Sequence, residues 1–473
     1  MRERRERQER QETLHRFPRY IVSRINQFDL KGKHVLVVGL ASTGLSTIRF
    51  LKEKGAVVTV TDLKPIEDLP YSDDMEGVKV AAGKHPADIF TEADLIILSP
   101  GVPSSIEPIQ GARKKGIEVI SEIELAYNFI DTPIIAVTGT NGKTTTTALL
   151  GRVLSDAGRD VFVGGNIGTP LIDYAMGKER SDYVVAEVSS FQLEGIRRFK
   201  PYISILLNIT EDHLDRYANF KEYADAKFNI FKNQGQGDIA VVNIDDPVIK
   251  SQISNLKSQI RIIPFSSTHV LEEGVYYKDN RIVYSLDGAK EIYPTVGFKL
   301  KGIHNIENIM AVIAAAKMCG LKDDEVIKII NAFDALPHRV EFAREINGVS
   351  YYDDSKGTNI GALQKCLEGF NAPIVLIAGG KDKGGDYSVL KDLIKEKVKL
   401  LILIGEARQK MKKALGACTE TVFALSMEDA VKKAHNTAKS GDIVLLSPAC
   451  SSFDMFKSYE ERGDVFKKLV EAL

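Results

Sequence analysis

The sequence predicts an α/β protein of three domains, each built on a parallel sheet. Three observations predict it. Short apolar segments alternate with helical stretches from Lys33 onward, the pattern of βαβ units. A glycine- and lysine-containing turn, Gly139–Thr144, stands between an apolar strand and a helix just after a fresh start at Pro133. A third alternating unit follows Leu336-Pro337, and 473 residues exceed what one ordinary core organises. The expected divisions are a charged extension at 1–30 and domains at 31–131, 132–335 and 336–473.

In the first domain, His34–Val38 reads as a strand, followed by a turn at Gly39–Gly44 and a helix from Leu45 to Lys54. Val57–Val60 is a second strand running out at Asp62, and Leu95–Leu98 a third that ends in Ser99-Pro100-Gly101. The turn has the outer glycines of a dinucleotide loop without the middle one. Asp62 stands where a ribose-binding acid would. The pattern points to something nucleotide-like, does not separate NAD from UDP, and also fits a turn that binds nothing.

The second domain opens with the strand Ile134–Val137, the turn Gly139-Thr140-Asn141-Gly142-Lys143-Thr144, and a helix from Thr145 to about Ala157. Glycines let backbone N–H groups approach a phosphate chain at a helix N-terminus. Lys143 supplies a cation for the outer phosphates and Thr144 a hydroxyl for a metal. Position 137 is valine, so the strict glycine-first spacing is not met. The strand Tyr183–Ala186 ends at Glu187, a carboxylate placed to hold magnesium beside phosphates. After the strand Ile203–Leu207 comes Asn208-Ile-Thr-Glu-Asp-His213, which puts His213 at a carboxyl strand end, where such sheets bind ligands. Lys227 lies on the next helix; addition of CO2 would make it an anion compatible with a cation site. Ile239–Val242 is a further strand, Tyr276–Tyr293 reads as a hairpin, and an alanine-rich helix follows His304.

The third domain carries strands at Val349–Tyr352, Ile374–Ala378, Leu400–Ile404 and Ile443–Leu446. Four loops follow them: Asp353–Asn359, Gly379–Gly385, Gly405-Glu406 and Ser447–Phe453. A parallel sheet gathers such loops on one edge, where these lysines and hydroxyls suit a small dicarboxylate. Ordinary polar loops are the alternative for any one of them.

Charge and composition narrow the function classes. The net charge is −1, so no overall basic field favours nucleic acid or an anionic membrane. The four cysteines form no CxxC pair, which fits free thiols in a reducing compartment. The first 16 residues are almost all charged or polar, with no apolar core of a signal peptide, and no apolar run approaches the ~18–20 residues of a membrane helix. A cytoplasmic monomer acting on small molecules is expected.

Six motifs carry a resemblance: Gly139–Thr145, Ala186-Glu-Val-Ser-Ser-Phe-Gln192, Asn208–Asp215, Leu336-Pro-His-Arg339, Asp354–Asn359 and Leu446–Asp454. Together the chain from about Lys33 onward resembles the Mur ligases. The resemblance implies a Rossmann-like N-terminal domain, a central ATP-binding domain with the phosphate loop, and a Rossmann-like C-terminal domain. Asn141, where the alanine-adding branch has histidine, and the lack of Asp-Asn-Pro-Arg, typical of the diaminopimelate-adding branch, favour the glutamate-adding branch. It implies an ATP-dependent ligase joining D-glutamate to UDP-N-acetylmuramoyl-L-alanine through an acyl phosphate.

By the same resemblance Ser42, Thr43, Asp62 and Gly101 would contact the UDP-sugar, with Asn166 and His213 on its muramoyl-alanine end. Gly139 to Thr145, Asn305, Asn308, Arg339 and Asp354 would bind ATP. Lys356, Thr358, Lys383, Ser452 and Phe453 would line the glutamate pocket. Two magnesium sites are implied, one on Thr144 and Glu187, the other on His213 and carbamylated Lys227, with manganese as an alternative ion. Lys143, His213 and Lys227 are the expected catalytic residues. Tyr459 stands where relatives have phenylalanine. A folylpolyglutamate-type ligase would share the central domain but lack a UDP-binding domain before it. A nucleotide-binding switch would need neither His213 with Lys227 nor the lysine-rich loops.

Overall fold

A computed structural model describes residues 28–473 except 71, 178, 179, 214, 215, 257, 301 and 335. The expected extension at 1–30 thus lies almost wholly outside the described residues. Two compact units are formed. One comprises residues up to 208 with 224–296 and 307–330; the other comprises 209–223, 297–306 and 331–473.

The first unit holds two sheets. Strands β1 (His34–Val38), β2 (Val57–Asp62), β3 (Lys79–Ala82), β4 (Leu95–Leu98) and β5 (Glu118–Ser121) form a parallel sheet in the order β3-β2-β1-β4-β5. Val35–Val38 and all of β4 are buried, as strands covered on both faces by helices must be. The strand order reverses between β1 and β4, so a crevice opens beyond their carboxyl ends.

The second sheet has nine strands: β6 (Ile134–Thr138), β7 (Val161–Gly165), β8 (Tyr183–Glu187), β9 (Ile203–Leu206), β10 (Ile239–Asn243), β11 (Arg261–Ser266), β12 (Gly274–Lys278), β13 (Arg281–Leu286) and β14 (Ala289–Pro294). Their order is β14-β13-β12-β11-β10-β9-β6-β8-β7. It is parallel from β7 to β12, and β12–β14 close it as an antiparallel meander. The reversal falls between β6 and β9, so the loops after these two strands face each other.

The second unit carries β15 (Glu341–Ile346), β16 (Val349–Asp353), β17 (Ile374–Gly379), β18 (Val398–Ile404), β19 (Glu420–Phe423) and β20 (Ile443–Leu446) in the order β15-β16-β20-β17-β18-β19. Only β15 runs antiparallel. Apolar residues pack on both faces: Leu376, Leu401 and Leu445 with Leu363 and Met411 on one, Ile377, Ile402 and Val444 with Val431 and Phe466 on the other. The last strand enters between β16 and β17, which sets Ser447 beside Asp354. Among the described residues no helix is long and apolar enough to cross a membrane.

Candidate functional site

The loop after β6 is built for close approach of backbone to a ligand. Gly139 and Gly142 have φ of 154° and 86°, and Gly142 caps the helix Lys143–Asp156. A Cβ at Gly142 would lie 2.3 Å from Asn308 Oδ1, and its positive φ favours glycine in any case. The loop is tied to the end of β9: Thr140 N donates to Asn208 O (2.9 Å), Asn141 N to Asn208 Oδ1 (2.8 Å), and Asn208 Nδ2 to Asn141 O (3.1 Å). Lys143 folds back so that Nζ donates to the carbonyls of Gly139 (2.9 Å) and Thr140 (2.8 Å). Thr144 follows in the first turn, with Thr145 buried behind it.

Glu187 ends β8 level with Val137 of β6 and Gly165 of β7. It is 2% exposed; Oε1 accepts from Asn166 Nδ2 at 2.9 Å, and Oε2 is buried without a hydrogen-bond partner. A divalent cation of the hard type takes such oxygens. An unpartnered buried carboxylate oxygen one strand from a phosphate loop, with the Thr144 hydroxyl available, fits magnesium. Lys227, on the helix Phe220–Phe228, is 2% exposed and donates from Nζ to Gly139 O at 2.7 Å.

At the end of the first sheet Ser42 and Thr43 open the helix Ser42–Glu53, and Gly101 is exposed. Asp62 is committed to its surroundings: Oδ2 accepts from Leu40 N (2.7 Å) and Oδ1 from Lys64 N (2.9 Å). Ser99 Oγ donates to Gly39 O at 2.8 Å and closes the same turn.

In the second unit the four third-domain loops are joined. Asp354 accepts from Ser447 Oγ (2.7 Å), and Ala449 N donates to Gly357 O (2.9 Å). Lys381 and Ser451 exchange backbone hydrogen bonds, and Glu406 N donates to Asp454 Oδ2 (2.8 Å). Arg462, 1% exposed, reaches Ser355 through Nε and Nη2 (2.9 and 2.8 Å) and Cys450 O through Nη1 (3.2 Å). Burial lowers its guanidinium pKa to about 10. Lys356 Nζ lies 3.7 Å from the centre of the Tyr459 ring, a cation–π contact that phenylalanine would also make. Thr358 is half-buried, Ser452 is buried and Phe453 is 69% exposed.

His213 is in the left-handed region at φ 55°, with Nε2 3.6 Å from Asp212 Oδ2. Asp212 also accepts from Lys383 Nζ (3.1 Å) and Asn359 Nδ2 (3.2 Å), so it ties the His213 segment to two of the loops. Asn305 opens the helix Ile303–Met318. Arg339 follows His338, which is buried, has φ 62° and bonds Asp353 Oδ2 through Nδ1 at 2.7 Å. Sequence reasoning did not single out Asp212, Ser447, His338 or Arg462. The local signals were the motifs containing Asp212, His338 and Ser447 and, for Arg462, the Glu-x-Arg-Gly segment.

A lysine-tipped phosphate loop on a mainly parallel sheet, with a carboxylate on the next strand, defines a nucleotide-handling α/β protein. Comparison with known families narrows the class. Residues 33–121 match the MurD-like N-terminal domain of Mur ligases, 137–316 the Mur ligase middle domain, and 338–450 the Mur ligase glutamate ligase domain. The UDP-N-acetylmuramoylalanine–D-glutamate ligase of Geotalea uraniireducens (strain Rf4) is 51% identical over 94% of this chain and 98% of its own. A pseudomurein peptide ligase type C from Methanothermus fervidus shares the fold at a TM-score of 0.61, with 20% identity over 93% of this chain and 100% of its own. The MurF ligase from Thermotoga maritima does so at 0.60, with 18% identity over 95% and 97%. The chain belongs to the Mur ligase family and is therefore a ligase.

Proposed function

We propose that the chain forms the amide bond between UDP-N-acetylmuramoyl-L-alanine and D-glutamate, converting ATP to ADP and phosphate, as a step of peptidoglycan precursor synthesis. The observation that carries the nucleotide half is the Gly139–Thr144 loop, locked to Asn208 at the sheet reversal and flanked by the unpartnered Glu187 oxygen. The choice of acceptor and amino acid is supported by the half-identical relatives, whose name states that reaction.

A carboxylate resists attack by an amine because its oxygen is a poor leaving group. Transfer of the γ-phosphoryl group to the alanine carboxylate oxygen releases ADP and gives an acyl phosphate. The D-glutamate amine attacks the acyl carbon, the tetrahedral adduct expels phosphate, and the amine proton goes to solvent or base. Positioning and charge compensation do most of the work in such transfers. Gly139 to Thr145 would cradle the phosphates and Lys143 offset their charge. Asn305, Asn308, Arg339 and Asp354 are also assigned to ATP. Thr144 and Glu187 would hold magnesium, which when bound screens the charge between phosphate and carboxylate.

His213 and, as its carbamate, Lys227 are assigned metal-binding roles, each open to its own test. Ser42, Thr43, Asp62, Gly101 and Asn166 are assigned to the UDP-substrate. Lys356, Thr358, Lys383, Ser452 and Phe453 are assigned to D-glutamate. Domain limits near 131 and 336, a cytoplasmic monomer free of nucleic acid and membrane, a second metal site and the use of manganese belong to the same proposal.

The deciding experiment is ADP release by the full chain. Release should require UDP-N-acetylmuramoyl-L-alanine and D-glutamate together, and L-glutamate should not replace the latter. Release with folate acceptors, or none with any acceptor, overturns the reading.

A further inference from the structure

We propose that Ser447 is a positioning residue for the nucleotide: its hydroxyl holds the Asp354 carboxylate in the orientation in which that group meets ATP. The inference rests on the reading of Asp354 as an ATP-binding residue and extends it to a residue that nothing so far assigns.

The geometry begins in the sheet. Asp353 of β16 pairs with Leu446 of β20, so Asp354 and Ser447 leave neighbouring strands side by side. Asp354 N donates to Leu446 O at 2.7 Å, and Ser447 Oγ donates to Asp354 Oδ2 at 2.7 Å. The turn closes on the pair. Gly357 N donates to Asp354 O at 2.8 Å, and a Cβ at position 357 would lie 2.5 Å from Asp354 Oδ2 and 3.1 Å from Ser447 Oγ. The carboxyl group therefore has little freedom to turn away.

Ser447 is 0% exposed and Asp354 6% exposed. A fully covered hydroxyl has no route to a ligand of its own and acts through the carboxylate it holds. Burial pushes the Asp354 carboxyl up to about 7. The groups facing it are Ser447, the Cys366 thiol and Arg339, which favour the carboxylate, and Asp353, which opposes it. Near neutral pH the group is then balanced between its two forms. The Ser447 hydrogen bond, at 2.7 Å, is among the contacts that keep it ionised.

Steady-state kinetics of the full chain with its own substrates, from about pH 6 to pH 9, test this. Ser447→Ala should raise KM for ATP about tenfold near pH 7, the usual consequence of losing a hydrogen bond to a charged group. The acid limb of the kcat/KM profile for ATP should move to higher pH, while KM for D-glutamate and kcat at saturating ATP stay near wild type. In an Asp354→Asn background Ser447→Ala should add nothing, because both changes act on one group. An equal added effect in that background, or a loss uniform across the pH range, overturns the proposal. Ser447→Cys, close in size with a weak donor, should move the same quantities in the same direction if the alanine variant does not fold. Asp354→Asn with an unchanged KM for ATP overturns the nucleotide role of Asp354 itself. That result differs from failure of Ser447 alone, in which Asp354→Asn raises KM and Ser447→Ala does not.

Discussion

Lys227 presents one observation with two physical explanations. Its Nζ, 2% exposed, donates to the Gly139 carbonyl at 2.7 Å. An amine there would clamp the phosphate loop. A carbamate, Lys–NH–COO⁻, keeps one N–H for the same carbonyl and adds an anion suited to a metal, as the sequence had suggested for a lysine near His213. Alanine at 227 removes the clamp in either case, so a fall in turnover of about two to three orders of magnitude does not separate them. Short carboxylic acids do: acetate or formate should restore part of the activity of Lys227→Ala if a carboxylate is what is missing. A variant that stays folded and gains nothing from them leaves only the clamp. At this scale the sequence is informative where chemistry is local. Lys143, Thr144 and Glu187 are recognisable from their own strand ends. Asp212 with Lys383 and Asp354 with Ser447 are not, because 171 and 93 residues separate the partners and only the sheet order brings them together.

At the level of elements, the strands readable in sequence are the central ones. β1, β4, β6, β8, β9 and β20 are continuous apolar runs because both faces are covered, and such runs stand out against polar loops. The strands not read are mostly edges: β3, β5, β7, β15 and β19 end their sheets, and β15 alternates with exposed residues. β11 is internal but contains Pro264, which cannot donate to a ladder and obscures the strand. Strand order is equally invisible, as the insertion of β20 between β16 and β17 shows. The loop-to-helix junction at Gly142 is the element on which the proposed nucleotide site rests. Gly142→Ala would force a side chain into φ 86° and against Asn308. The backbone alone then costs about 1–2 kcal/mol. Thermal melts should show a lowered midpoint, and ATP with magnesium, which ought to raise the wild-type midpoint by binding the folded state, should barely move the variant. A normal ATP-induced rise in the variant would show that the loop tolerates the change.

On the scale of the first unit, the two sheets are joined by carboxylates that belong to neither ligand site. Glu124, 2% exposed, accepts the backbone N–H groups of Arg197, Arg198 and Phe199 at 2.8–2.9 Å. Glu122, 1% exposed, accepts Ile172 N at 2.7 Å with Oε1, while Oε2 has no hydrogen-bond partner. Asp173, held by Ser46 Oγ at 2.9 Å, adds a like charge nearby. Burial first, and then Asp173, push the Glu122 carboxyl up to about 7 from an ordinary 4.5, although the Ile172 N–H pulls the other way. The sign follows from proton counting. Below the ordinary value both folded and unfolded chains hold the proton, and the junction is at full strength. Between there and about pH 7 the unfolded chain releases the proton while the folded chain keeps it, so stability falls; above pH 7 the loss levels off. At ~1.4 kcal/mol per pH unit of difference, the loss reaches about 3–4 kcal/mol. Glu122→Gln keeps the acceptor for Ile172 N and removes the ionisation. Denaturant melts that follow the first unit should therefore come closest to wild type near pH 4 and exceed it most at pH 8, with the difference opening between those values. Parallel pH dependences in the two proteins would mean that Glu122 is ionised in the folded chain and that the junction carries a buried anion.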